Sequence, residues 1–235
     1  GTARHAWRDT HIRVEGGVVY AIQRAFLIDW YFVDRTLITN RKYYPTLDTA
    51  PNDCIAQVVT SSPIMPWPDI MQGYVRILLE ARRYVYIETP YFMPTDPVLF
   101  ALCTAAQAGV DVRLMVPHHS DARLPEWATR SFIGQVVAAG VKVYLYQAGF
   151  NHSKLLVTDD SLCTCGSTNV DFRSFENNFE SNIFFYDSQM ALRMKQVFND
   201  DLAHCQLLTG ESAFMHRGFG QRLWESIIRL FSPLM

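Results

Sequence analysis

Between residues 55 and 146 the chain alternates short apolar runs with longer stretches of helical period, an order that few folds accommodate. Residues 55–60, 84–88, 110–116 and 141–146 read as strands. Between them, 68–82 predicts a helix opened by Pro68, 96–108 a helix closed by Gly109, and a segment from about 125 to 139 a helix ending at Gly140. Strands alternating with helices bury both faces of one sheet, so the expected architecture is α/β, a layered sheet flanked by helices on both faces.

The amino-terminal stretch reads differently. Polar and apolar residues alternate over 10–14, predicting a strand, and a helix is expected over 17–33. Residues 36–52 are polar and carry Asn40, Pro45 and Pro51, the composition of a linker. Residues 9–30 also resemble 180–202, each a carboxylate-bearing strand followed by an amphipathic helix. At one constant offset Glu15, Phe26 and Asp29 recur as Asp187, Phe198 and Asp201.

Composition narrows the function. A chain of 235 residues with 49% hydrophobic content can build a sizeable core. Its 21 basic and 23 acidic residues leave a net charge of −2 with no basic stripe, which argues against a nucleic-acid partner. No run of 18 apolar residues suggests a spanning helix. The five cysteines are odd in number and scattered, three in apolar surroundings, which suits a reducing compartment rather than a disulfide framework. Cys163 and Cys165 lie two apart on a predicted strand, but no second pair or suitably spaced histidine completes a metal site, so none is expected.

The chemistry concentrates in 152–169, HSKLLVTDDSLCTCGSTN. Two apolar strands, 155–158 and 162–165, are joined by an Asp-Asp-Ser turn. Side chains alternate across a strand, so His152 and Lys154 project from one face. An imidazole, an ammonium and a Ser/Asn pair after a glycine fit a phosphate diester. The lysine neutralises charge, the amide and hydroxyl donate hydrogen bonds, and the histidine attacks phosphorus or moves protons.

This segment matches H-x-K-x4-D-x6-G-S-x-N, and on it the chain is identified as resembling the phospholipase D superfamily, named for its HKD motif. The phrases WRDTHIRVEG, ETPYFMPTD, GVDVRLMVP, NVDFRSFENNFESN and RLFSPLM resemble the bacterial cardiolipin synthase branch. The resemblance implies two such halves facing each other across the phosphate. Residues 1–50 then look like the tail of a first half plus linker, and 53–235 like a second half with a C-terminal amphipathic helix over 221–234; the first half's own histidine lies upstream of Gly1. One histidine forms a phosphohistidine and the other is acid and base; His152 takes the second role. The catalytic set implied is His152, Lys154, Asp159 and Glu180, with Asp159 expected to hold local structure and Glu180 to orient His152. Ser167, Asn169 and Asn178 bind substrate, with Arg173 an orienting neighbour, and Asp9 orients the histidine of the first half. His11 shares a face with Asp9 and its role stays open. Tyr91 and Phe92 either line an acyl or headgroup pocket or belong to the core, and the loop 118–121 is either a polar loop or part of a site.

The activity implied is phosphatidyl transfer between two phosphatidylglycerol molecules, giving cardiolipin and glycerol, with no cofactor. The alternatives are a phospholipase D-type hydrolase, another phosphatidyltransferase, or a half-enzyme that binds lipid without turning it over. Expected partners are phosphatidylglycerol, cardiolipin, a membrane surface and the upstream half. The place implied is the cytoplasmic face of the bacterial inner membrane. The helix over 221–234 puts Leu223, Trp224, Ile227, Ile228, Leu230 and Phe231 on one face, to pack on the core or to lie at the lipid interface.

Overall fold

The computed structural model describes residues 6–44, 46 and 53–208. The expected C-terminal helix over 221–234 lies outside these residues. The twelve described strands are β1 (Trp7–Arg8), β2 (Ile55–Ser61), β3 (Tyr84–Glu88), β4 (Phe92–Met93), β5 (Asp111–Pro117), β6 (Lys142–Tyr146), β7 (Phe150–Asn151), β8 (Leu155–Thr158), β9 (Leu162–Gly166), β10 (Val170–Asp171), β11 (Glu180–Tyr186) and β12 (Cys205–Leu207). The α-helices are α1 (Val18–Asp34), α2 (Asp69–Glu80), α3 (Asp96–Gln107), α4 (Arg123–Ala138) and α5 (Ser188–Leu202). Eight strands form one mixed sheet in the order β12-β6-β5-β3-β8-β9-β11-β2.

Alternation within the central strands assigns their two faces. Ile87, Leu114 and Leu156 point towards α2, α3 and α4, where they meet Leu78, Leu102 and Phe132. Tyr86, Met115 and Val157 point the other way, towards Met194 and Phe198 of α5. Helices therefore cover both faces of an α/β layered sheet, as the periodicity predicts. Strands β3, β5 and β6 run parallel, and β8 returns antiparallel beside β3 with Leu155 opposite Glu88. The carboxyl ends of the parallel strands, the start of β8, the end of β9 and the start of β11 thus share one rim of the sheet.

The helix boundaries follow their punctuation. Gly109 and Gly140 sit at positive φ just past α3 and α4, where a side chain would be strained. Helix α4 begins at Arg123, leaving Pro125 in the first turn, where its missing N–H costs nothing.

The strand expected over 10–14 does not form. Ile12 and Val14 do turn inward, packing against the α5 side of the core. No strand among the described residues pairs with them, however, and an alternating pattern signals a buried face rather than a hydrogen-bonded partner. The pairing falls earlier, where Trp7 and Arg8 run parallel to Phe150 and Asn151.

The two related helices also differ. In α5, Ala191, Met194 and Phe198 are buried. None of α1 is buried, and Phe26 and Trp30 are among its exposed residues.

Candidate active site

The β8–β9 hairpin sorts the motif residues to opposite ends. Asp159 and Asp160 adopt φ of 53° and 55° at its turn, a conformation Asp tolerates better than most residues. With Leu155 opposite Cys165 and Thr158 opposite Leu162, Lys154 and the Gly166–Asn169 segment come together at the open end. Gly166 is required there. A Cβ at this position would lie 2.2 Å from the Ser181 carbonyl oxygen and 2.3 Å from Asn182 Oδ1, because β11 crosses too closely for any side chain.

At the open end Lys154, buried to 8% exposure, directs its Nζ to the His152 carbonyl at 2.7 Å and to His152 Nε2 at 3.0 Å. The imidazole stands between Trp7, ring centroids 4.8 Å apart, and Phe150 at 5.8 Å. Its Nδ1 lies 3.1 Å from Asp9 Oδ2. Lys154 Nζ also lies 3.1 Å from His152 Nδ1, so the ammonium sits over the ring face between the two nitrogens; with Nδ1 assigned as donor to Asp9, Nε2 keeps its in-plane lone pair. Burial lowers the pKa of Lys154, against the raising pull of Asp9 and Glu180.

The expected pairing of Glu180 with His152 is not the one found. The parallel β1–β7 contact carries the chain past Arg8, whose carbonyl accepts from the His152 N–H at 2.7 Å, so the next residue, Asp9, faces the ring. Glu180 instead accepts from the Ser167 hydroxyl and, at 3.0 Å, from Asn178 Nδ2. Burial raises its pKa, while its bonds from Ser167 and Asn178 pull the other way. Asn178 is held in turn by Arg173 Nε at 3.2 Å. Asn169 Oδ1 is buried with no hydrogen-bond partner among the described residues, an acceptor left open beside the motif.

Asp159 stands apart from this cluster, at the far end of the hairpin. It accepts from the backbone N–H groups of Arg82, Arg83 and Tyr84 at 2.8, 2.9 and 3.0 Å. Partial burial pushes its pKa up, but these donors hold it below the ordinary carboxylate range. It joins the start of β3 to the hairpin, in keeping with local structure rather than contact with substrate. Phe92 falls outside the cluster, while Tyr91 packs at 6.2 Å on Phe150, the ring that flanks the imidazole. Phe92 is fully buried against Phe132, and the Tyr91 hydroxyl donates to Asp121. In the loop 118–121, His118 Nδ1 lies 2.7 Å from Gln147 Oε1. His11 is exposed.

A buried layer under the motif escaped the sequence reading. Residues 151 and 153 alternate with His152 and Lys154 and point inward: Asn151 Nδ2 donates to Glu88 Oε2 at 3.3 Å, and Thr10 Oγ1 donates to Ser153 Oγ at 3.0 Å. Glu88 is 1% exposed and its Oε1 has no partner among the described residues. Burial, aided by the charge of Asp201, pushes its pKa up to about 7, against the lowering pull of Asn151 and Arg8. Arg8 bridges to Asp201 at 2.7 Å. The signal available in sequence was a glutamate closing an otherwise apolar strand. Its partners Arg8, Asn151 and Asp201 come from three separate segments, so no local pattern announces them.

The match to the family described as "Cardiolipin synthase, PLD-like domain" spans residues 74–202. A cardiolipin synthase of Clostridium perfringens (strain SM101 / Type A) is 42% identical over 97% of this chain and 49% of its own length. The major cardiolipin synthase of Bacillus subtilis (strain 168) is 40% identical over 97% of this chain and 48% of its own length. This chain spans about half the length of the curated relatives it matches. Among solved structures, the phosphatidylserine synthase of Haemophilus influenzae superposes with a TM-score of 0.66 at 16% identity, covering 92% of this chain and 61% of that one. Nuc, a phospholipase D family member from Salmonella typhimurium, gives 0.55 at 16% identity, over 66% of this chain and 99% of its own. At such identities these two likenesses concern the fold alone.

Proposed function

The chain belongs to the cardiolipin synthase family of phospholipase D-like proteins, and on that premise we propose that the protein carrying it moves a phosphatidyl group from one phosphatidylglycerol to the hydroxyl of another. The products are cardiolipin and glycerol. The observation carrying this reading is the His152 imidazole, held at Nδ1 by Asp9 with its Nε2 open beside the Lys154 ammonium. Such a base can take or return one proton, while the ammonium turns to a phosphoryl oxygen when a diester arrives. Ser167 and Asn169 bind the substrate, the Asn169 amide N–H donating to a phosphoryl oxygen while its open Oδ1 accepts from a hydroxyl.

The reaction proceeds in two displacements. A histidine of a preceding half attacks phosphorus through a ring nitrogen, the bond to the glycerol oxygen breaks, and that oxygen leaves with the Nε2 proton of His152, which enters this step as the imidazolium and is left as the neutral imidazole. The acceptor hydroxyl then attacks phosphorus, the P–N bond breaks, and its proton returns to His152. Residues 1–50 form the tail of that preceding half and a linker, and 53–235 the second half. The uncovered α1, so similar in pattern to the packed α5, supports this division. Asp9 serving the second-half histidine leaves Glu180, at the corresponding place after the motif, to orient the first-half one. Because substrates and product are bilayer lipids, the place of action is a membrane surface, the cytoplasmic face of the bacterial inner membrane. No helix among the described residues is long and apolar enough to cross it.

Thin-layer chromatography of labelled phosphatidylglycerol turned over by the intact protein tests this reading. Cardiolipin and glycerol are expected; phosphatidic acid without cardiolipin would mean that water wins at the phosphohistidine, and no turnover would remove the reading. The 235-residue chain alone is expected to be inactive, with activity returning when the upstream sequence is restored.

A further inference from the structure

Helix α1 stands off the edge strand β2 rather than packing flat on it, and the gap between them encloses about 980 Å3. That lies at the upper end of the roughly 300–1,000 Å3 common for small-molecule sites. The α1 wall carries Tyr20, Ile28 and Phe32, and the opposite side Val58, Met65 and Phe179. The residues lining it run from Gly17 to Arg35, about 27 Å of helix at roughly 1.5 Å per residue. Ser62, Ile64 and Met65 also line it, from a loop in which Ile64 is 67% and the following Trp67 65% exposed.

We infer that this groove holds one acyl chain of the phospholipid whose phosphodiester lies at His152 and Lys154. The inference rests on the phosphatidyl-transfer reading and adds where the substrate's chain lies. Three observations carry it. The groove is continuous with the site, because Glu180, which binds Ser167 and Asn178 on one side, forms part of the groove wall on the other. Its length exceeds the roughly 15 Å that a chain spans in one leaflet, half of a hydrocarbon core of about 30 Å. Its lining is mostly apolar with four charged residues, Arg24, Asp29, Arg35 and Glu180; Arg35 lies over the Phe32 ring at 5.3 Å, and Phe32 meets Phe179 at 5.0 Å, so cation and apolar wall coexist where a headgroup would give way to a chain.

A second protein segment fits this face less well. On α1 the positions matching the buried Ala191, Met194 and Phe198 of α5 are Val19, Ile22 and Phe26, on the opposite side of the helix from Arg24, Ile28 and Arg35. A preceding half that packs on α1 as α5 packs here therefore takes the outer face and leaves the groove open. A chain passing from bilayer to groove exchanges one apolar surrounding for another, so the groove's service is to fix the phosphodiester's register at the imidazole. For monomeric lipid in water the same burial also contributes affinity, about fourfold per methylene.

The test uses the full-length protein and monomeric phosphatidylglycerols of increasing acyl length, each below its critical micelle concentration. In the wild type kcat/KM is expected to climb a few-fold per methylene until the groove is full. Ala25→Trp, which fills the groove, and Ile28→Glu, an exposed wall position that tolerates a charge, are expected to flatten that climb and leave the shortest lipid's turnover unchanged. A phosphatidylglycerol with a diazirine at one chain end should cross-link to residues 17–35 and 55–65. A flat wild-type length dependence, variants that slow all chain lengths alike, or cross-links elsewhere would overturn the groove assignment while leaving phosphatidyl transfer intact. Cross-linking at the groove without any transfer would uphold the groove and remove the transfer reading.

Discussion

At its turn the β8–β9 hairpin sets Asp159 against three backbone N–H groups and Asp160 against Arg83, Tyr84 and Lys195; at its open end it sets His152 and Lys154 near the buried Asn169 amide oxygen, which has no partner among the described residues. Both ends carry charged residues of the same short motif. At the turn every charge is answered, and Lys195 and Tyr84 hold Asp160 down to about 2. At the open end the ammonium is buried and its pKa lowered, and the imidazole retains a lone pair. Saturated charge fastens a hairpin to its neighbours; charge with spare capacity is available to a ligand. A histidine, a lysine and an aspartate in one signature therefore do two different jobs.

Substitutions at the two ends can break this contrast. His152→Ala in the full-length protein should lower phosphatidyl transfer by about 10³- to 10⁴-fold, with stability changed by less than about 1 kcal/mol. Near-normal turnover would take the imidazole out of the chemistry. Under the open end, Glu88 keeps its proton to about pH 7 when folded, against the ordinary 4.5 of a free glutamate. The unfolded chain loses that proton first, so the contribution to stability is complete below pH 4.5 and is lost as pH rises through about 7. Urea unfolding should show wild type losing about 3 kcal/mol relative to Glu88→Gln across that window; parallel profiles would mean that Glu88 is solvated.

At the turn, Asp159→Ala should cost about 2 kcal/mol, since three donors lose a charged acceptor at a half-exposed site, and leave turnover per folded molecule unchanged. A large loss of turnover in folded protein would place Asp159 with the chemistry and erase the distinction. The smallest effect is expected for Asp9→Asn, about tenfold in kcat/KM, because Lys154 also holds the ring. Partial recovery in Asp9→Glu would separate orientation from mere packing, and an unaffected rate would leave the ring oriented by Lys154 alone.

Much of this was legible from residue order. The strands at 84–88 and 155–158 fall where their apolar runs do, and Gly109 and Gly140 mark the helix ends because only glycine takes those dihedrals cheaply. The shared face of His152 and Lys154 follows from the two-residue period of a strand. The partner of His152 was not legible. Asp9 and Glu180 are both acidic residues near related elements, and only the parallel pairing of residues 7–8 with 150–151 decides between them. The same pairing explains the missing strand over 10–14, whose apolar residues find a core but no ladder.

Local order thus settled which segments become strands and helices and which side chains share a face, because period and turn chemistry act over a few bonds. Tertiary structure alone decided which carboxylate meets the imidazole, which charge stays open and where a buried glutamate sits. Those depend on contacts between segments 63 to 143 residues apart, and nothing in the local pattern of either segment encodes the distance between them.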